Sequence, residues 1–136
     1  MSVTYLNPEA HLPPTGKFSH VAIAEPGRFA FIAGQVALDA DGQLVGPDDA
    51  AAQCPQVFAN LKTILDGIGA GFRDVVELTT YLVGEESREP WLAARVPVYE
   101  RYFPDGAYPP NTLLIISGLV QPAMKIEVSA IVRMPD

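Results

Sequence analysis

The chain has 136 residues, 49% of them hydrophobic, and carries 9 Lys/Arg against 16 Asp/Glu for a formal net charge of −7. That length predicts one domain over 1–136 with room for a real core, and no run approaches the roughly 18 apolar residues of a membrane span. The acidic balance, with basic residues scattered rather than clustered, leaves no surface to neutralise a phosphate backbone, so neither nucleic acid nor membrane is an expected partner.

Residues 1–17, with Pro13, Pro14 and Gly16, read as an extended lead-in. They lack the basic start and apolar stretch of a secretory leader, and a lone cysteine cannot form an internal disulfide, which together predict a cytoplasmic protein. The stretch 20-HVAIAE-25 reads as a strand, Pro26-Gly27 as a turn and 29-FAFIAG-34 as a returning strand, so the pair is expected to be a hairpin. Asp39-Ala40-Asp41-Gly42 is a further turn signal. A helix follows, capped by Asp48 or Asp49. Its buried face is marked by Val57, Leu61, Ile64, Leu65 and Ile68. Pro55 is tolerated near its start, and Gly67, Gly69 and Gly71 end it.

The run 74-DVVELTTYLV-83 is rich in β-branched residues and alternates, which predicts a strand. Ser87 and Pro90 open a second helix with an apolar face of Trp91, Leu92, Val96, Tyr99 and Phe103, and Pro97 inside it should kink it. Residues 112–117 and 124–132 are the last two strands. The order β-β-α-β-α-β-β predicts an α+β fold, with helices on one face of a mostly antiparallel sheet and the other face bare. A bare face, together with a mean hydropathy of +0.16, predicts burial against other copies of the chain.

Several residues could carry chemistry. In 124–132, Met124, Ile126, Val128, Ala130 and Val132 share one strand face, which leaves Glu127 on the other with Lys125, Ser129, Ile131 and Arg133. The plain structural reading is a solvated face with Glu127 paired to a lysine. The functional one is an acid/base or water-orienting carboxylate at a pocket wall. Asn111 follows Pro109-Pro110 and could simply satisfy turn backbone. His11 and His20 offer no metal-ligand spacing, so no metal and no cofactor are expected. Cys54 reads as a small packing residue. Gly67 to Gly71 follows a helix rather than a strand, so it is no phosphate loop.

Taken together, 16-GKFSHVAIA-24, 29-FAFIAGQVALDADGQLV-45, 52-AQCPQVFANLKTILDGIGAGFRDVVELTTYLV-83, 98-VYERYFPDGAYPPNTLL-114 and 125-KIEVSAIV-132 resemble the Rid family of reactive intermediate deaminases, also called YjgF or endoribonuclease L-PSP proteins. The resemblance covers nearly the whole chain. It implies a chorismate-mutase-like fold and a homotrimer with a small-molecule pocket at each subunit interface. In that pocket Glu127 matches the family's carboxylate and Gly34 the glycine whose backbone borders the ligand. Phe18 stands where the family usually has tyrosine. Leu113 replaces a frequent cysteine, and Val96 replaces a polar residue of some relatives.

Asn111 stands where family members that hydrolyse 2-imino acids have arginine. Asparagine cannot copy the bidentate, charge-assisted grip on a carboxylate, a loss of about 1.5–3 kcal/mol. The resemblance therefore implies a pocket that is less cationic and more apolar, unless Arg28, Arg95 or Arg101 supplies the missing charge. Three readings follow from it. One is a hydrolase or lyase for a small imine, enamine or carbonyl compound other than a typical 2-imino acid, with Glu127 and Asn111 in catalytic roles. The second is a non-catalytic trimeric metabolite binder. The third, ribonuclease or translation-inhibitor activity, is disfavoured by the net charge.

Overall fold

A computed structural model describes residues 2–136. In chain order the elements are β1 (Val3–Leu6), β2 (Val21–Ala24), β3 (Phe29–Gln35), α1 (Ala50–Ile68), β4 (Val75–Val83), α2 (Arg88–Tyr102), β5 (Asn111–Ile116) and β6 (Ile126–Arg133). Four strands form one sheet in the order β3-β6-β4-β5. The β3–β6 and β6–β4 pairs are antiparallel and β4–β5 is parallel. The expected α+β architecture is therefore the observed one. Among the described residues, no helix is long and apolar enough to cross a membrane.

Two local expectations need correcting. The extended lead-in contains a strand that the predicted element order lacks, because Val3–Leu6 pairs antiparallel with Val21–Ala24. The stretch VTYL has the β-branched and aromatic content of a strand, and the Tyr5 hydroxyl donates to the Val75 carbonyl at 2.5 Å, tying β1 to the start of β4. Nor do β2 and β3 form a hairpin, since β2 pairs with β1 and β3 with β6. The cause is Arg133, which is buried at the end of β6. Its guanidinium donates to the carbonyls of Glu25 and Pro26, pulling the turn out of line between two sheets. A Cβ on Gly27 would lie 2.4 Å from the Arg133 Cζ, so the turn needs that glycine.

The helices obey the sequence. Asp49 caps α1, accepting from the Ala52 N–H at 3.0 Å, and Gly69 closes it in the left-handed conformation at φ 78°. Val57, Leu61 and Leu65 are buried as expected, while Ile68 reaches the surface. Phe58 and Gln53 are also buried in full. Gln53 donates to the Gly46 and Ala123 carbonyls and accepts from the Lys125 N–H, so one amide ties α1 to the loop before it and to the β5–β6 connection. Trp91, Tyr99 and Phe103 bury one side of α2, but Val96 faces outward. The helix continues through Pro97, next to exposed Val96, where the lost backbone hydrogen bond costs least.

The helices and one sheet face enclose the core. Leu78 and Leu82 of β4 and Ile126, Val128, Ala130 and Val132 of β6 point into it. The opposite face carries Tyr81, Glu127, Ser129 and Ile131, with Phe31 of β3 at 76% exposure. This bare face is the one that alternation in β6 predicts.

Candidate functional site

Glu127 is the second residue of β6, half-buried, in register with Tyr81 of β4. Lys125 pairs with Asp48 at 3.8 Å rather than with Glu127. Among the described residues Glu127 has no ion pair, so the lysine partner of the plain structural reading is not found.

What sits against the carboxylate is backbone. The β3–β6 register slips between Ile32 and Gln35, so Ala33 and Gly34 together stand opposite Ser129 in a bulge. Gly34 is pressed on Glu127. A Cβ there would lie 2.1 Å from Oε2, 2.6 Å from Cδ and 2.8 Å from Cγ. Two residues singled out in the sequence, 93 positions apart in the chain by subtraction of their numbers, are thus in direct contact.

Asn111 opens β5 beside Leu78 of β4. Paired residues in a sheet project to the same side, so Asn111, Leu113 and Ile115 share the helix-covered face with Leu78, Thr80 and Leu82. The Thr80 hydroxyl, fully buried, donates to Asn111 Oδ1 at 2.7 Å. That bond fixes the amide and leaves both Nδ2 protons for another acceptor. Thr80 was not anticipated. Its only signal in the sequence is a hydroxyl at a core-facing position of an alternating strand.

Glu127 and Asn111 therefore face opposite sides of one sheet, and a single chain does not bring them together. Phe18 is half-buried in the loop before β2, edge-on to the His20 ring at 5.4 Å. Leu113 packs against the core and Val96 lies 37% exposed on α2. Asn111 and Leu113 share the helix side of β5, Phe18 and Val96 come from the loop before β2 and from α2, and Glu127 with Gly34 lies on the other face of the sheet. The groove of about 400 Å³ between α1 and α2, bordered by Gln56, Val98 and Arg101, touches none of these residues.

Other candidates recede. Burial pushes the Cys54 thiol up to about 12, far from thiolate formation at neutral pH. The His11 and His20 rings meet edge-on at 4.6 Å. Among the described residues no cluster of three or more His, Cys, Asp or Glu could hold a metal ion.

Comparison with known proteins places this geometry in a family. The profile of the family described as Endoribonuclease L-PSP matches residues 8–134. The chain belongs to this family, the Rid or YjgF family. A Rid-family protein of unknown function, YyfB from Yersinia pestis, has a solved structure that is 38% identical. The match covers 98% of this chain and 100% of that one, with a TM-score of 0.87. Protein DfrA of Myxococcus xanthus is 32% identical over 118 residues, 85% of this chain and 84% of its own. A RutC family protein of Synechocystis is 29% identical over 123 residues, covering 90% of this chain and 89% of its own. The Escherichia coli YjgF structure, at 22% identity, covers 82% of this chain and 85% of its own, with a TM-score of 0.69 that speaks for the fold.

Proposed function

We propose that this Rid-family chain hydrolyses a small imine, enamine or carbonyl compound in a pocket formed between copies of the chain, in a homotrimer. One copy contributes Glu127 and the Gly34 backbone; the next contributes Asn111, Phe18, Val96 and Leu113. One observation carries the reading. Glu127 is held against a glycine bulge with no ion pair among the described residues, on a sheet face whose Phe29 and Phe31 are exposed, while Asn111 offers its amide from the far side. Two half-sites on opposite faces become one site only when copies associate face to edge.

The chemistry follows from the residue types. Glu127 accepts a proton from water, which adds to the electrophilic carbon. Asn111 Nδ2–H donates to the reacting nitrogen or oxygen as charge develops there. For an imine, the proton passes to nitrogen, the C–N bond of the tetrahedral adduct breaks, and ammonia and a carbonyl compound leave. An ordinary 2-imino acid is disfavoured, because Asn111 cannot grip its carboxylate as a guanidinium would.

The test is an ammonia-release assay on a panel of small imines generated in situ. Wild type is expected to turn over some member of the panel, with 2-iminopropanoate a poor substrate. Glu127→Gln should abolish turnover, and Asn111→Arg should raise it on 2-iminopropanoate. Ligand binding that weakens in both variants, with no turnover in any, would show a metabolite binder instead.

A further inference from the structure

Three buried side-chain polar atoms lack a hydrogen-bond partner among the described residues: Trp91 Nε1, Arg95 Nε and Tyr99 OH. They are not scattered. Positions 91, 95 and 99 are successive turns of one stripe of α2. All three groups can donate, and native proteins leave few such donors unmatched. Trp91 and Tyr99 are shut off from solvent, so the group a ligand can meet is the Arg95 guanidinium, which suits a negatively charged one.

The surroundings of Arg95 strengthen this. Lys62, Arg88, Lys125 and Arg133 each pair with a carboxylate, whereas Arg95 has none within ion-pair reach among the described residues. It instead lies over the Tyr99 ring, 5.6 Å from the centroid. The ring face and the nearby Tyr99 hydroxyl, to which Arg95 offers a hydrogen bond, offset part of the charge's desolvation but supply no negative charge for the guanidinium fork. The acidic neighbours cannot serve as counter-charge. Burial raises both the Cys54 thiol and the Tyr99 hydroxyl to about 12, so both are neutral at pH 7.

The lead-in runs past the outer end of the guanidinium at ordinary contact distance. A Cβ on Gly16 would lie 3.5 Å from an Arg95 terminal nitrogen and 3.8 Å from the Phe18 ring. At the same corner the Lys17 ammonium sits 5.5 Å above the Tyr108 ring, which is 5.7 Å from the Tyr99 ring. Two cations thus stand over neighbouring aromatic rings in a chain of net charge −7, beside Phe18 and one residue from Val96.

We propose that Arg95 on α2 is the anion anchor of this site, in place of the arginine missing at Asn111, and that the ligand is a small carboxylate with an apolar body. The carboxylate seats on the guanidinium beside Gly16, and the apolar body lies against Phe18. This rests on the pocket reading above for its place in the reaction. It shifts the anionic end of the substrate from the mouth of β5 to the lead-in side, so a compound shaped for the β5 position remains a poor fit.

Benzoate and benzamide, alike in shape and different in charge, are suitable probes. Each is titrated calorimetrically into the full chain, wild type, Arg95→Met and Arg95→Lys, with thermal melting of each protein as a control. Benzoate should bind wild type at least about tenfold more tightly than benzamide. Arg95→Met should lose about 10- to 100-fold for benzoate and leave benzamide unchanged, and Arg95→Lys should fall between. Added salt should weaken benzoate alone. If Arg95→Met does not fold, the Arg95→Lys loss and the salt dependence decide. No benzoate binding to wild type, or binding within about threefold in the variants, overturns the anchor.

Glu127→Gln separates the two ideas. If turnover dies in that variant while benzoate ignores Arg95, the pocket reading stands and the anchor falls. If benzoate depends on Arg95 while turnover ignores Glu127, the anchor stands and the proposed chemistry falls.

Discussion

Replacing Gly34 by alanine adds one methyl group at the point where β3 meets the Glu127 carboxylate. The new Cβ would lie 2.1 Å from Oε2 and 2.8 Å from Cγ, over an ångström inside normal contact for the oxygen. Because Cγ itself is too close, a rotation of the carboxylate end does not suffice, and Glu127 must change its χ1. Gly34 is not at positive φ, so alanine brings no backbone penalty. Overpacking of this kind costs about 1–3 kcal/mol, and the lost freedom of glycine in the unfolded chain returns about 0.4–1 kcal/mol. The net loss is about 1–2 kcal/mol, a melting-temperature drop of roughly 3–10 °C for a domain of this size. Catalysis should suffer far more. A displaced acid/base group forfeits about 10²–10⁴ in rate. The assay is ammonia release alongside thermal melting. A Gly34→Ala protein that melts as predicted yet keeps turnover within about threefold would refute the claim that this contact positions the reacting carboxylate.

Other outcomes follow from single contacts. Gln53→Leu strips partners from the Gly46 and Ala123 carbonyls and the Lys125 N–H, and chemical denaturation should show a loss of about 3–5 kcal/mol. Thr80→Val frees Asn111 Oδ1 and should cost about 1 kcal/mol while weakening ligand binding, read by denaturation and calorimetry. Cys54 should resist iodoacetamide at pH 8 in the folded protein and react once unfolded. Its thiol pKa is raised on folding from 9.0 to about 12, so its contribution to stability is complete below pH 9 and is lost as pH rises toward 12. Cys54→Ala should flatten that alkaline decline in a pH series of melts.

Much of this was readable in the residues themselves. Alternation in 124–132 placed Ile126, Val128, Ala130 and Val132 inward and left Glu127 on the other face, and those four are buried. The cap at Asp49 and the stop at Gly69 follow from local chemistry. What alternation could not supply was pairing partners. A turn such as Pro26-Gly27 looks like a hairpin until a distant arginine, Arg133, takes its carbonyls. The site divides the same way. Family resemblance picked out Glu127 and Gly34, and the bulge that presses them together is visible only in three dimensions. The opposite facing of Asn111 depends on the parallel β4–β5 register, a long-range fact. Arg95 stood among three candidate arginines, and only the packing of α2 shows which has a buried nitrogen without a partner.

The account depends on a pocket completed by two copies, and subunit mixing tests it most directly. Glu127→Gln and Asn111→Ala, each inactive alone, are unfolded together and co-refolded, then assayed for imine hydrolysis. Some pockets in the mixed assemblies will draw Glu127 from one variant and Asn111 from the other, so partial recovery of activity is predicted. A mixture as inactive as its parents, with mixed assemblies confirmed by mass spectrometry, would contradict it.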